Sequence, residues 1–405
     1  MKKATQLALG ILTSVGGFFD VGNIATSAQA GASFRFQLIW ALVLATILVI
    51  FLVEMSGRFA AVSQKALPDA IREHLGFGFW FIPFIILTLT HLLILGAEIG
   101  GISFALQLVT GIKYSWFAMP VALLVWLFLW RSKFNTIENS TSLLGLITLC
   151  FVVAAIAHHP PLREVAAGAL PSLPTRDPAK YWFIAVSLLG SVLAPYLFYF
   201  YSSGAIEDKW DETYVGVNRA IAFIGMSFGA LIALGALVVS GVVLGSRGIE
   251  VDDYQQAALM LTRAFPYWGF VLFAAAMGIA CLGAALEVSL SMAYATAQTF
   301  GWNWGEDLKP SKDARFSLVY TAAIFLSALI IAFGVDPLKL TLLTMAINAA
   351  VLPFVTLPFL LLMNDEKLLH KQKNGWFSNA VVVFVTLLSL VLAVVSIPLA
   401  VAGGS

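Results

Sequence analysis

Residues 17–31 read GFFDVGNIATSAQAG. They follow a short apolar run, QLALGILTSV at 6–15, and precede a long one, FQLIWALVLATILVIFLVEM at 36–55. An aspartate, a glycine and an asparagine thus stand where a first membrane span should be reaching its middle. Glycine widens the choices of the backbone, and a carboxylate at membrane depth is costly and marks function by default. The stretch reads as an interrupted helix.

The rest of the chain requires a membrane. Of its 405 residues, 60% are hydrophobic and 11% charged, where soluble domains carry about 25% charged residues. The 31 Phe and 11 Trp suit lipid contact and interfacial anchoring. A net charge of +1 suggests neither nucleic-acid binding nor an acidic tail, and the expected partner is the lipid bilayer. Cys150 and Cys281 lie in apolar runs, and no disulfide is expected between them. A span needs about 20 mostly apolar residues. Eleven candidates, numbered spans 1 to 11, cover 5–31, 37–57, 78–110, 115–130, 138–158, 182–205, 215–245, 267–300, 316–334, 338–363 and 377–401. The connections leave no room for a soluble domain, so 1–405 is expected to be one all-α transmembrane domain. Within the polar segment 246–266, YQQAALMLTRAF is expected to form a helix lying on the surface. With the N-terminus cytoplasmic, inner segments hold fifteen Lys and Arg against eight outside. The expected orientation is therefore N-inside and C-outside, in the cell's inner (plasma) membrane.

Span 6, YWFIAVSLLGSVLAPYLFYFYSSGA at 181–205, is interrupted too, around Ala194, Pro195 and Tyr196. Proline removes a helical hydrogen bond and clashes with the preceding turn. Such breaks are tolerated in a membrane only where they are buried or line a cavity. Spans 1 and 6 open two successive blocks of five, about 5–158 and 182–363, with span 11 extra. An odd block enters the membrane upside down the second time. Discontinuous helices at matching positions of inverted repeats mark the substrate site of a secondary transporter. Asp20 beside such a break suggests a cation site. Two alternatives stand beside it. Pro195 kinks a helix and Asp20 is a boundary residue; or Lys2, Lys3, the apolar run and Ala28-Gln29-Ala30 form a cleaved secretory signal.

These residues resemble the NRAMP family of divalent-metal transporters. That family has a LeuT-type fold, a D-P-G-N motif in its first helix and M-P-H in its sixth. Here the motifs stand as Asp20-Val21-Gly22-Asn23 and Ala194-Pro195-Tyr196. AEIGGISFALQLVTG (97–111) in span 3 and LPFVTLPFLL (352–361) in span 10 are similar to the family's third and tenth helices. The resemblance implies Asp20, Asn23 and the Ser191 carbonyl as metal ligands, with Gly22 keeping the break, and Ala194 at the position of the metal-binding methionine. A thioether favours transition metals over magnesium. Ala194 has no donor, and magnesium prefers oxygen and keeps its waters. The departure looks like the NRAMP-related magnesium transporters, with manganese also accepted. The family's histidines fall at Tyr196 and Tyr201, and its helix-3 aspartate at Leu95, while the glutamate remains as Glu98. Tyrosine, with a pKa of about 10, exchanges protons poorly near neutrality. Weak or no proton coupling is expected, the ion moving down its gradient. An inside-negative potential favours a divalent ion by roughly 4.6 kcal/mol per 100 mV. The transported cation is the ligand, and no cofactor or obligatory protein partner is expected.

Four further polar residues lie in apolar runs. His91 and Glu98 are seven apart, hence on one helical face; they form a residual proton path or are separately hydrogen-bonded. Glu287 in span 8 faces the path or is neutralised. Asn348 in span 10 supplies an oxygen to the ion or bonds a neighbouring helix. Glu54 and Arg58 are expected to pair at i,i+4, away from the site. The competing class within transporters is a proton-coupled manganese or iron carrier; a sodium-coupled organic-solute carrier would not need Asp20 and Asn23 together. An intramembrane enzyme is disfavoured, since no H-E-x-x-H occurs and of the five histidines only His91 lies mid-span.

Overall fold

The structure, a computed structural model, describes residues 19–131, 145–305 and 314–403. Among these, nine helices are long and apolar enough to cross a membrane. They are spans 2 (Ile39–Ser63), 3 (Phe77–Thr110), 4 (Tyr114–Arg131), 6 (Pro178–Glu207), 7 (Glu212–Arg247), 8 (Gly269–Phe300), 9 (Ala314–Ala332), 10 (Pro337–Leu362) and 11 (Trp376–Val395). The other two expected spans begin outside the described residues. Their described parts are the helix Val21–Phe34 of span 1 and the apolar helical stretch Leu146–Ala157 of span 5.

Span 6 divides where its proline predicts. Its first half, 6a, is Pro178–Val192 and its second, 6b, is Pro195–Glu207. Between them Leu193 and Ala194 leave helical geometry, Ala194 being extended at φ −61°, ψ 124°. Proline at the first position of 6b has the φ a new helix needs and no N–H to satisfy. The apolar window of span 6 is buried along its whole length, whereas span 11 is mostly exposed. The broken helix is thus central, and the extra helix is peripheral.

The spans fall into two packed groups. Spans 1, 2, 6 and 7 pack on one another, as do spans 3, 4, 8 and 9. Span 10 leans on 6a, span 3 and span 1, and span 11 covers span 10 and 6a. Partners five apart in order, 2 with 7, 3 with 8 and 4 with 9, are direct neighbours. Small residues permit the closest approaches, as expected between helices without a hydrophobic drive. A Cβ on Gly31 of span 1 would lie 2.4 Å from the Leu237 carbonyl oxygen of span 7. Nearby, Ser240 Oγ donates to the Ala28 carbonyl at 2.7 Å.

The segment 254–265 forms a helix at Tyr254–Thr262, started by a capping box between Asp253 and Gln256, with Gln255 exposed on its outer face and its inner face docked on protein. Tyr254, Ala257, Ala258, Met260 and Leu261 are buried, and the Tyr254 hydroxyl donates to Thr341 Oγ1 at 3.0 Å. Its apolar residues recur at helical spacing and dock it inward. Cys150 and Cys281 are both buried and free.

Candidate cation site

Asp20 is the N-cap of the helix in span 1. Its backbone is extended, and Oδ1 accepts from the Asn23 backbone N–H at 2.9 Å and from Asn23 Nδ2 at 3.2 Å. The orphan amides of a helix start need such an acceptor, and the positive end of the helix dipole favours the carboxylate. A second carboxylate joins it from span 3: Glu98 Oε2 accepts from the Val21 N–H at 3.4 Å. Glu98 Oε1 is buried without a hydrogen-bond partner. Against Glu98 lies the Cys281 thiol of span 8, where Gly101 makes room: a Cβ there would stand 2.5 Å from Cys281 Sγ.

The break in span 6 meets this helix start. Pro195, four residues after Ser191, cannot supply the N–H that a continuous helix would aim at the Ser191 carbonyl. The Ser191 hydroxyl donates to the Leu188 carbonyl at 3.0 Å and lies 3.5 Å from Asn23 Oδ1 and 3.3 Å from Thr26 Oγ1. Thr26 in turn donates to the Gly22 carbonyl at 2.7 Å. Asp20, Asn23, Ser191 and Ala194 are all buried. Ala194 adds no donor atom.

Span 10 closes the third side. Asn348 is fully buried; its Nδ2 points to Met345 Sδ at 3.7 Å, and its Oδ1 has no hydrogen-bond partner. Met345 was not singled out in the sequence, because sulfur was sought only at position 194. Its place three residues before Asn348, on the same helical face, was the available signal.

The remaining candidates go to different places. His91 and Glu98 share a helix face but not a hydrogen bond. His91 Nδ1 meets the Leu87 carbonyl at 2.6 Å and Nε2 meets Ser291 Oγ at 2.9 Å. With Nδ1 as donor, Nε2 is left to accept from the serine. The same Ser291 Oγ lies 3.3 Å from the Tyr196 carbonyl oxygen, and the His91 and Tyr196 rings meet edge-on at 6.3 Å. Tyr196 is buried at the start of 6b, and Glu287 is near enough to interact electrostatically with both Tyr196 and Glu98. Tyr201 is carried away from the break: its hydroxyl donates to Asn218 Oδ1 of span 7 at 3.0 Å. Glu54 and Arg58 pair as expected, with Arg58 Nε 3.0 Å from Glu54 Oε1. Just after span 6, Asp208, Asp211 and Glu212 lie exposed around Lys209, and Asp211 Oδ1 accepts from the Thr213 N–H at 2.8 Å.

Among the described residues no group of three or more His, Cys, Asp or Glu is placed to hold a metal. The site is instead a small set of carboxylate and neutral oxygens. Such a set holds a divalent ion less tightly than an all-anionic cage and leaves room for water.

The profile of the family described as "Natural resistance-associated macrophage protein-like" (Nramp) matches residues 10–398. The chain belongs to the Nramp family. Among its relatives are the divalent metal cation transporters MntH of Listeria monocytogenes serotype 4a and Listeria innocua. The first is 26% identical over 403 residues, covering 95% of this chain and 88% of the relative. The second is 26% identical over 382 residues, covering 92% and 83%. The crystal structure of the Eremococcus coleocola manganese transporter with an aromatic bis-isothiourea compound superposes with a TM-score of 0.80. It is 20% identical, with 96% of this chain and 86% of that one covered. Mhp1, a nucleobase-cation-symport-1 family transporter, superposes at 0.63 with 13% identity, covering 97% and 92%. The Nramp chain described here therefore has the LeuT-type fold that the family resemblance implied. It is an integral membrane protein of a transporter family, not an enzyme.

Proposed function

We propose that this Nramp chain carries divalent metal cations across the membrane by alternating access, through a site made by Asp20, Asn23 and the Ser191 carbonyl. One observation carries the reading. The two interrupted helices meet, with Asp20 and Asn23 capping the helix in span 1 within reach of Ser191 at the end of 6a. The same few ångströms gather the Asp20 carboxyl, neutral oxygens and a carbonyl that Pro195 leaves without a helical donor. Glu98 places a second carboxyl behind Asp20, and Asn348 offers a buried oxygen without a partner. The names of the MntH relatives and of the manganese transporter support a divalent cation as substrate. Gly22 keeps the helix start open, and Glu287 and Tyr196 flank the path without binding the ion.

In the finer reading the ion is magnesium, with manganese also accepted, and moves into the cytoplasm with weak or no proton coupling. The support is chemical. Ala194 offers no soft donor, Tyr196 and Tyr201 replace titrating histidines, and Leu95 replaces a carboxylate. The charge bias puts the N-terminus inside and the C-terminus outside, and the two repeats occupy about 5–158 and 182–363. A second reading, a proton-coupled manganese or iron carrier, is favoured by one observation: Met345 brings a sulfur to the site by another route.

Flux into proteoliposomes with an internal pH reporter separates these readings. The first expects magnesium and manganese entry that follows an inside-negative potential without acidification. Acidification in step with manganese would establish the second. Unchanged flux in Asp20→Ala would remove the site.

A further inference from the structure

Span 10 crosses 6a so closely that Gly190, next to Ser191, has no space for a side chain. A Cβ there would stand 1.8 Å from the Met345 carbonyl oxygen and 2.9 Å from the Ala349 nitrogen. This contact fixes the Met345 backbone beside the end of 6a. The Met345 side chain then runs to the start of the helix in span 1. Its Sδ and Cε lie 2.5 Å and 2.8 Å from the point where a Gly22 Cβ would be, and Asp20 Oδ1 lies 3.1 Å from that same point. Thioether and carboxylate therefore crowd the same side of Gly22, and the Met345 side chain fills the space a side chain there would need. Met345 is fully buried. One turn along, Asn348 directs Nδ2 to the sulfur at 3.7 Å and keeps Oδ1 without a hydrogen-bond partner.

We propose that Met345 supplies a thioether ligand to the transported cation, with Asn348 Oδ1 as the neighbouring oxygen donor, so that the site prefers soft transition-metal ions to magnesium and calcium. The proposal rests on the cation site at Asp20 alone; in selectivity it takes the manganese or iron reading and sets the magnesium one aside. A thioether is a weak acceptor for a protein N–H but a good ligand for soft metals. Placed against a carboxylate it gains little as packing alone. A buried amide oxygen without a donor costs about 1–3 kcal/mol, a cost that a bound cation removes. Ala194 leaves span 6 without sulfur, and span 10 returns one from the opposite side of the break. The Asn348 amide N–H holds one face of the sulfur, and the remaining lone pair is the one available to metal. Methionine also fills irregular gaps in cores; that bland role makes a different prediction for selectivity.

The test uses the full chain in nanodiscs, with cadmium, manganese and magnesium titrated separately into the wild type, Met345→Leu, Cys281→Ser and Asp20→Ala. Leucine keeps the volume and removes the sulfur. Met345→Leu should weaken cadmium binding by at least roughly tenfold, the lower end of what losing even an outer partner of a metal site costs, and manganese by less. Magnesium binding should stay within about twofold of wild type, well inside one tenfold step of affinity, which also reports an intact fold. Cadmium X-ray absorption should show one sulfur neighbour in the wild type and in Cys281→Ser, and none in Met345→Leu. Equal losses for all three ions would assign Met345 to packing and overturn the proposal. So would an unchanged cadmium affinity, or a sulfur neighbour lost in Cys281→Ser instead. Full cadmium and magnesium binding in Asp20→Ala would instead overturn the underlying site, whatever Met345 does.

Discussion

Two buried polar clusters of this protein use similar residues and end differently. Around Glu54, every oxygen of the carboxylate is engaged: Oε1 by Arg58 Nε at 3.0 Å and Arg219 Nε at 3.3 Å, Oε2 by Arg58 Nη2 at 3.2 Å. Arg58 goes on to Asn374 Oδ1 at 2.9 Å and to the Gln372 carbonyl, while Asn218 joins the Glu54 carbonyl at 2.8 Å to the Tyr201 hydroxyl at 3.0 Å. That cluster ties spans 2, 6b and 7 to the segment before span 11 with its one carboxylate fully paired. Around Asp20 two carboxylates, two asparagines and a serine converge, and no lysine or arginine among the described residues offsets Asp20 or Glu98. Glu98 Oε1 and Asn348 Oδ1 are left without partners. Buried polar groups in native proteins are nearly all satisfied. A surplus of acceptors with no cation of the protein's own is the arrangement a passing cation completes; a closed network is the arrangement a scaffold needs.

The largest effect should separate the clusters outright. Asp20→Ala should reduce divalent-cation affinity by at least roughly 100-fold, as loss of a ligand exceeds loss of an outer partner, yet lower stability by only about 1 kcal/mol, the value of an N-cap. Arg58→Ala should do the reverse. It leaves Glu54 with Arg219 alone and Asn374 Oδ1 without its donor, and should cost about 3 kcal/mol in thermal unfolding in detergent, with cation affinity unchanged by calorimetry. If both variants lose affinity equally, the distinction between the clusters fails.

Asn348→Leu sharpens the comparison further, because its two effects have opposite signs. Removing an unsatisfied buried acceptor should leave stability unchanged or raise it by about 1 kcal/mol. Cation affinity should fall about tenfold. A stability loss with unchanged affinity would make Asn348 an ordinary interhelical residue. Paired measurements of melting temperature and of titrated affinity on one preparation give both signs.

How much of this was legible in the sequence depended on whether the signal was local. The breaks at Asp20 and at Ala194 and Pro195 were, because capping and proline chemistry act within one turn. Spans 2 to 4 and 6 to 11 followed from apolar length. The helix Tyr254–Thr262 was legible as a helix, but what its inner face docks on was not, because short amphipathic helices dock on protein or on lipid with the same pattern. His91 and Glu98 shared a face by spacing, yet Ser291 of span 8 and the Val21 amide of span 1 drew them apart. Met345 was legible only as a neighbour of Asn348 on one helical face, not as a neighbour of Asp20. Its approach to Asp20 depends on two glycines, Gly190 and Gly22, on two other spans. A long-range contact of that kind leaves no trace in local pattern.

The smallest expected effect concerns Tyr201, which the sequence placed with Tyr196 and the structure places with Asn218. A Cβ on Gly57 would lie 2.1 Å from Asn218 Oδ1 and 2.6 Å from Tyr201 Cε1, so the ring and the amide are wedged against span 2. Tyr201→Phe keeps that packing and removes one hydrogen bond, for about 1 kcal/mol of stability. Flux of manganese and its dependence on external pH should both match the wild type, because the hydroxyl serves the closed cluster. A variant that gained or lost pH dependence would put Tyr201 on the ion's route and erase the boundary between the two clusters at this residue.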